Sequence, residues 1–136
     1  MSIALFINTD RTISQFDTKK VAEILTKNNV FDVELHRFEC IENGKGEYYF
    51  LDSMWVPFLK ELQSFKGKTK QFHKMQSLIR AMQEIIGLLF SKKYEIKIFH
   101  QSVETKNFSF QRSEKLRLQN LQEAQLNWDT VYEIIE

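Results

Sequence analysis

Three histidines, His36, His73 and His100, and the single cysteine, Cys40, are the side chains best suited to acid–base, nucleophilic or metal chemistry. Their spacing supports little of it. On a regular strand His36 and Cys40 face the same way but stand about 13 Å apart at 3.3 Å per residue, too far to share one ion. No Cys-x-x-Cys pair, His-Glu-x-x-His helix or oxygen-rich calcium loop occurs, so no metal or cofactor is expected. Four glycines build neither Gly-x-Gly-x-x-Gly nor a phosphate-cradling loop. Gly67-Lys68-Thr69 has the end of a P-loop without its upstream glycine or preceding strand, and reads as a helix–helix turn. A Gly-x-Ser-x-Gly elbow is also missing. A Cys40 thiol paired with the imidazole of His36 or His100 competes with a plainer role for Cys40 as a small core residue in a Phe-rich strand. What remains of enzymology is a small metal-free nuclease, with His36 and His100 as acid and base and a central lysine stabilising charge. The missing motifs favour a non-catalytic protein.

Charge is distributed in blocks. Residues 1–55 carry six Lys/Arg against nine Asp/Glu, residues 56–93 eight against two, and residues 94–136 five against seven, for a net charge of +1. Separate acidic and basic regions suit a charged partner met in one orientation. The basic block holds Lys60, Lys66, Lys68, Lys70, Lys74, Arg80, Lys92 and Lys93. With Phe65, Phe72 and His73 nearby, residues 60–93 form a candidate nucleic-acid surface centred on Lys66, Lys68, Lys70 and Lys74. Helical geometry spreads these charges, and lysines late in a helix complement its dipole, so a solvated face is the competing explanation. The acidic block places Glu34, Glu39, Glu42, Glu47 and Asp52 beside Tyr48, Tyr49 and Trp55. Tyr and Trp anchors among carboxylates suit an interface for a basic protein, and ordinary core aromatics beside solvated carboxylates are the competing explanation. The candidate contact residues for such a partner are Glu39, Glu42, Glu47, Tyr48, Asp52 and Trp55.

The elements that must position these groups follow from periodicity. A length of 136 residues, 43% of them hydrophobic and twelve of them Phe, fits one globular α+β domain over 1–136. The apolar run at residues 3–7 reads as a strand buried on both faces, not a signal peptide. Residues 17–28 read as a helix capped by Asp17, with Val21, Ile24 and Leu25 on one face and Asn28-Asn29 at its end. Phe31, Val33 and Leu35 alternate with polar residues, and Asn43-Gly44 supplies a turn, which together predict a β-hairpin over about 31–51. Phe38 and Cys40 fall out of phase, and a bulge near His36-Arg37 would explain the slip. Asp52 or Ser53 with Pro57 opens a helix that ends near Gly67. Phe72, Met75, Ile79, Met82, Ile86 and Leu89 define a long amphipathic helix over about 69–92, roughly 35 Å in length, packed on a mixed or antiparallel sheet. Met54, Met75 and Met82 suit either an adaptable groove or the core. Gly87 inside that helix suggests close packing against another element.

Residues 94–100 alternate as a strand. Residues 113–125 fit a helix, although 115–118 also fit a strand. Trp128, Val131, Tyr132 and Ile135 share a helical face, so a C-terminal amphipathic helix is expected. No stretch has the ~20 apolar residues of a membrane span. A lone cysteine suits the reducing cytoplasm.

In size, composition and lack of catalytic motifs the whole chain resembles bacterial immunity proteins that neutralise a cognate toxin. The run Tyr48-Tyr49 followed by Leu51-Asp52 and Trp55 is similar to a region of the barstar family of ribonuclease inhibitors, with Phe50 following the tyrosines where that family has glycine. The resemblance implies a cytoplasmic protein whose carboxylates occlude the basic active site of a toxin, such as a nuclease. The long helix also permits a homodimer.

Overall fold

The computed structural model describes residues 3–39, 45–51, 70–104, 106–123, 126–127 and 129–136. Along them run β1 (Ile3–Thr9), α1 (Gln15–Lys27), β2 (Leu35–Phe38), β3 (Glu47–Leu51), α2 (Lys70–Ser91), β4 (Ile96–Ser102), β5 (Arg112–Arg117), a 3-10 helix (Leu118–Glu123) and β6 (Thr130–Ile135). The strands form one mixed sheet in the order β2-β3-β1-β4-β6-β5. Only β5 and β6 run parallel among the described strands.

β1 lies in the middle of this sheet because its apolar run suits burial on both faces. Leu5 and Ile7 are fully buried on the side that carries the helices, with Val21 and Leu25 of α1 and Ala81, Ile85, Ile86 and Leu89 of α2. Ala4 and Phe6 are buried on the opposite side, in a separate cluster with Phe99. The fold is therefore α+β, with helices on one face of the sheet and aromatic side chains on the other.

Several local expectations are corrected. Ser14, not Asp17, caps α1: its side chain accepts the Asp17 N–H at 3.0 Å. Asp17 is instead buried and accepts a hydrogen bond of 2.8 Å from the Tyr94 hydroxyl. Asn28 caps the C-terminus, and Asn29 takes the left-handed conformation with φ 61°. β2 begins at Leu35, not near Phe31, whose side chain is 74% exposed. The slip in alternation is not a bulge at His36-Arg37, because Leu35 to Phe38 pair with Leu51 to Tyr48 without interruption. Val33 enters the core from irregular chain before the strand. The turn expected at 42–46 lies outside the described residues up to Gly44. Gly46 has φ 79°, and a Cβ there would collide with the Thr9 carbonyl oxygen. The helix expected after Asp52 also lies outside the described residues.

The C-terminal helix is replaced by a strand. Thr130, Tyr132 and Ile134 of β6 alternate inward between β4 and β5. Thr130, Tyr132 and Ile134, β-branched or aromatic at period two, outweigh the helical spacing of Val131, Tyr132 and Ile135. The strand alternative holds for β5, and the chain then crosses to its parallel partner through the 3-10 helix. Leu121 and Leu126 anchor that crossover in the helix-side core. Gly87 is not required by packing: a Cβ there would meet nothing within 4 Å.

Candidate functional site

The aromatic face is assembled from β1, β2, β3, β4 and the segment after β4. Phe6 stacks on Phe99 with centroids 5.4 Å apart and planes 5° from parallel. Phe38 meets the edge of Phe6 at 5.2 Å. Phe108 and Phe110 fold back over Phe99 at 4.9 and 4.8 Å. Tyr48 lies against Phe108 at 5.1 Å. Edge-on and offset contacts of this kind match the positive rim of one ring to the negative face of another. Phe6 and Phe99 are buried, while Phe38, Tyr48, Phe50, Phe108 and Phe110 are only partly so. Burial raises the Tyr48 phenol above its ordinary pKa of 10.0, despite a backbone hydrogen bond at Lys45 that opposes the shift.

A charged network borders this face where β2 forms the sheet edge. Arg37 donates from Nε to Glu47 Oε2 at 3.0 Å and from Nη2 to the same oxygen at 2.8 Å, with Glu39 3.8 Å from Nη1. The hydrogen bond to Glu47, supported by its charge, raises the Arg37 pKa further. Strand alternation decides which side each group takes. Arg37 pairs with Tyr49, whose ring is in the helix-side core, whereas Phe38 pairs with Tyr48 on the aromatic side.

The proposed contact residues are thus only partly brought together. Glu47 and Tyr48 take opposite sides of β3, Glu47 with Arg37 and Tyr48 beside Phe38. Glu39 is exposed beside Arg37. Glu42, Asp52 and Trp55 lie outside the described residues, as do Cys40, Met54, Lys66 and Lys68. Met82 is a core residue. Lys70 begins α2, and Lys74 forms an ion pair with Asp32 that holds the Asp32 carboxyl below its ordinary pKa. Arg80 is exposed farther along the helix.

His36 and His100 are not brought together. His36 contacts Phe50 on the aromatic side, at 5.4 Å between centroids. His100 pairs with Leu5 on the helix side and is 5% exposed. Three strand spacings, about 14 Å, also separate them across the sheet. A shared acid–base site of these two residues is excluded by that geometry. His73 is exposed on α2. Among the described residues no group of three or more His, Cys, Asp or Glu could hold a metal ion. No helix among them is long and apolar enough to cross a membrane.

Two features had only faint sequence signals. Arg11 donates to the carbonyl oxygens of Lys92 and Lys93 at 2.9 and 3.0 Å, stacks on Tyr94 at 3.9 Å and pairs with Asp10. It closes the C-terminus of α2 from 81 and 82 positions away, which no local pattern reveals. A groove of about 610 Å3 runs beside it, lined by Gly87, Phe90, Tyr94, Ile96, Leu118 and Ile134 among others. Compared with known proteins, the chain matches no family model, no curated sequence and no solved structure.

Proposed function

We propose that this chain is a non-catalytic protein-binding module of the bacterial cytoplasm that recognises a basic partner, in the manner of an immunity protein occluding the active site of a toxin. The observation that carries the proposal is the junction at β2. There a partly exposed aromatic face, Phe38, Tyr48 and Phe50, meets the Glu39–Arg37–Glu47 network along a sheet edge. A partner lying along β2 reaches aromatic anchors on one side and carboxylates on the other. Apolar rings with a charged rim are the composition of a protein interface. Arg37 fixes the Glu47 carboxylate in place, so less side-chain entropy is lost on docking. The wider acidic block of residues 1–55, with Glu42 and Asp52, adds attraction for a cationic surface and speeds encounter.

The test is the dissociation constant of a complex between this protein and a basic partner retained stoichiometrically from its native cytoplasm. The Glu42→Lys/Glu47→Lys variant is expected to weaken the complex at least several-fold, and Tyr48→Ala to weaken it independently. Unchanged affinity in both would remove this edge as the docking surface.

A further inference from the structure

Phe16 is 61% exposed in the first turn of α1, where a large apolar side chain gains nothing from burial. It is not alone. Lys20, one turn farther along α1, places its ammonium 5.5 Å from the centre of the Phe16 ring. Lys92, just past the end of α2, places a second ammonium 5.5 Å from the same centre. Twice that distance limits the two charges to about 11 Å apart. Lys19 shares this side of the helix at i+3 from Phe16, and Lys93 follows Lys92. Arg11 ties the corner together through the Lys92 and Lys93 carbonyls. Two ammonium groups thus flank one exposed ring, and Lys19, Lys93 and Arg11 add positive charge on the adjoining stretches of chain. The nearby carboxylates are Asp10, which Arg11 engages, Glu23, 3.5 Å from Lys20, the buried Asp17 next to Phe16, and the exposed Glu95 two residues past Lys93. Lys19, Lys92 and Lys93 form no ion pair among the described residues.

We propose that this corner, Phe16 with Lys19, Lys20, Lys92 and Lys93, binds single-stranded nucleic acid, with one base stacked on the Phe16 ring and the flanking phosphates on the lysines. The inference is independent of protein recognition at β2. An exposed aromatic ring set among cations is the working unit of single-strand binding, because every base has a π-face and every link a negative charge. An acidic peptide would use the lysines but leave the ring without a matching group. A lipid surface would need a cluster of apolar side chains to insert. The other large exposed apolar residue among the described ones, Phe31, lies beyond the far end of α1, whose thirteen residues span about 20 Å. The ammonium groups that sit by the ring in the unliganded protein are on flexible stems and turn outward to phosphate when a base takes the ring face. This surface differs from the one the basic run at 66–74 suggested. It joins the two ends of the chain's helices, and its lysines come from separate parts of the sequence.

The experiment is a fluorescence-anisotropy titration of labelled oligothymidylate at several salt concentrations, with polyglutamate and phosphatidylserine vesicles as competing probes. Wild-type protein is expected to bind the oligonucleotide at low salt and release it steeply as salt rises. Lys20→Gln/Lys92→Gln should reduce the salt slope by about 1.4, roughly 0.7 for each cation on a single strand. Phe16→Ala should weaken binding by about tenfold with the slope unchanged, and Phe16→Tyr should restore it. All three positions lie on the surface, and thermal melts verify that the variants are folded. Phe16→Leu, which keeps apolar bulk without a π-face, should behave as Phe16→Ala. The proposal is overturned by no binding of oligothymidylate at low salt, by affinity insensitive to both Phe16→Ala and Phe16→Leu, or by displacement with polyglutamate or vesicles at equal charge concentration.

Discussion

Tyr94 shows how single side chains hold this molecule together. Its hydroxyl donates to buried Asp17 at 2.8 Å and accepts the Ser14 N–H at 3.1 Å, while its ring carries the Arg11 guanidinium. Tyr49 plays a parallel role, accepting the Ile13 N–H at 2.9 Å. Together they fix the loop between β1 and α1 to the sheet. Tyr94→Phe would leave the Asp17 carboxylate and one backbone donor short of a partner, at a cost of about 1–3 kcal/mol. Urea denaturation is expected to show a lower midpoint with an unchanged slope. None of this was legible in the sequence, where Asp17 looked like a cap and Tyr94 like one more strand residue. Polar partners separated by 77 positions leave no periodic trace. The same holds for Arg37, whose placement between Glu39 and Glu47 depends on the strand register.

At the scale of elements, the long helix and the central strands were readable because their apolar residues recur at one period over many turns. α2 and β1 need only that signal. The last strand is not readable, because over so few residues Val131, Tyr132 and Ile135 fit a helical face while Thr130, Tyr132 and Ile134 fit a strand face. What decides between them is the open sheet position beside β4, a tertiary fact. The start of β2 was obscured in the same way: Phe31 and Val33 continue the alternation but not the pairing. Gly87 offers a direct check of element energetics. With open space where its Cβ would be, Gly87→Ala should stabilise the protein by about 1 kcal/mol, seen as a raised melting temperature. A lowered melting temperature would show that the helix needs glycine there for backbone reasons.

At the scale of the whole molecule, charge and fold meet in the ion pairs that join separate elements. Lys74 joins α2 to Asp32 before β2, and Lys27 at the end of α1 joins Glu84 of α2 at 2.8 Å. Hydrogen bonds from these lysines lower the Asp32 and Glu84 pKa values from the ordinary 3.8 and 4.5, and the Glu95 N–H does the same for Asp10. The unfolded chain therefore takes up protons before the folded one does. The stability these groups contribute is complete above about pH 5–6 and is lost as pH falls through the depressed folded values. Urea midpoints measured from pH 7 downward should stay level and then fall below about pH 4.5.

The same global view separates two surfaces, the β2 edge with its aromatic face and the basic corner at Phe16. The first is the surface we propose for docking a basic protein, and a hydrogen-exchange footprint of the complex with such a partner reads it most directly. Slowed exchange is expected in β2, β3 and residues 106–110, with the corner at Phe16 and Lys92 unchanged. Slowed exchange confined to α1 and the end of α2, or the absence of any basic protein that binds, would contradict it.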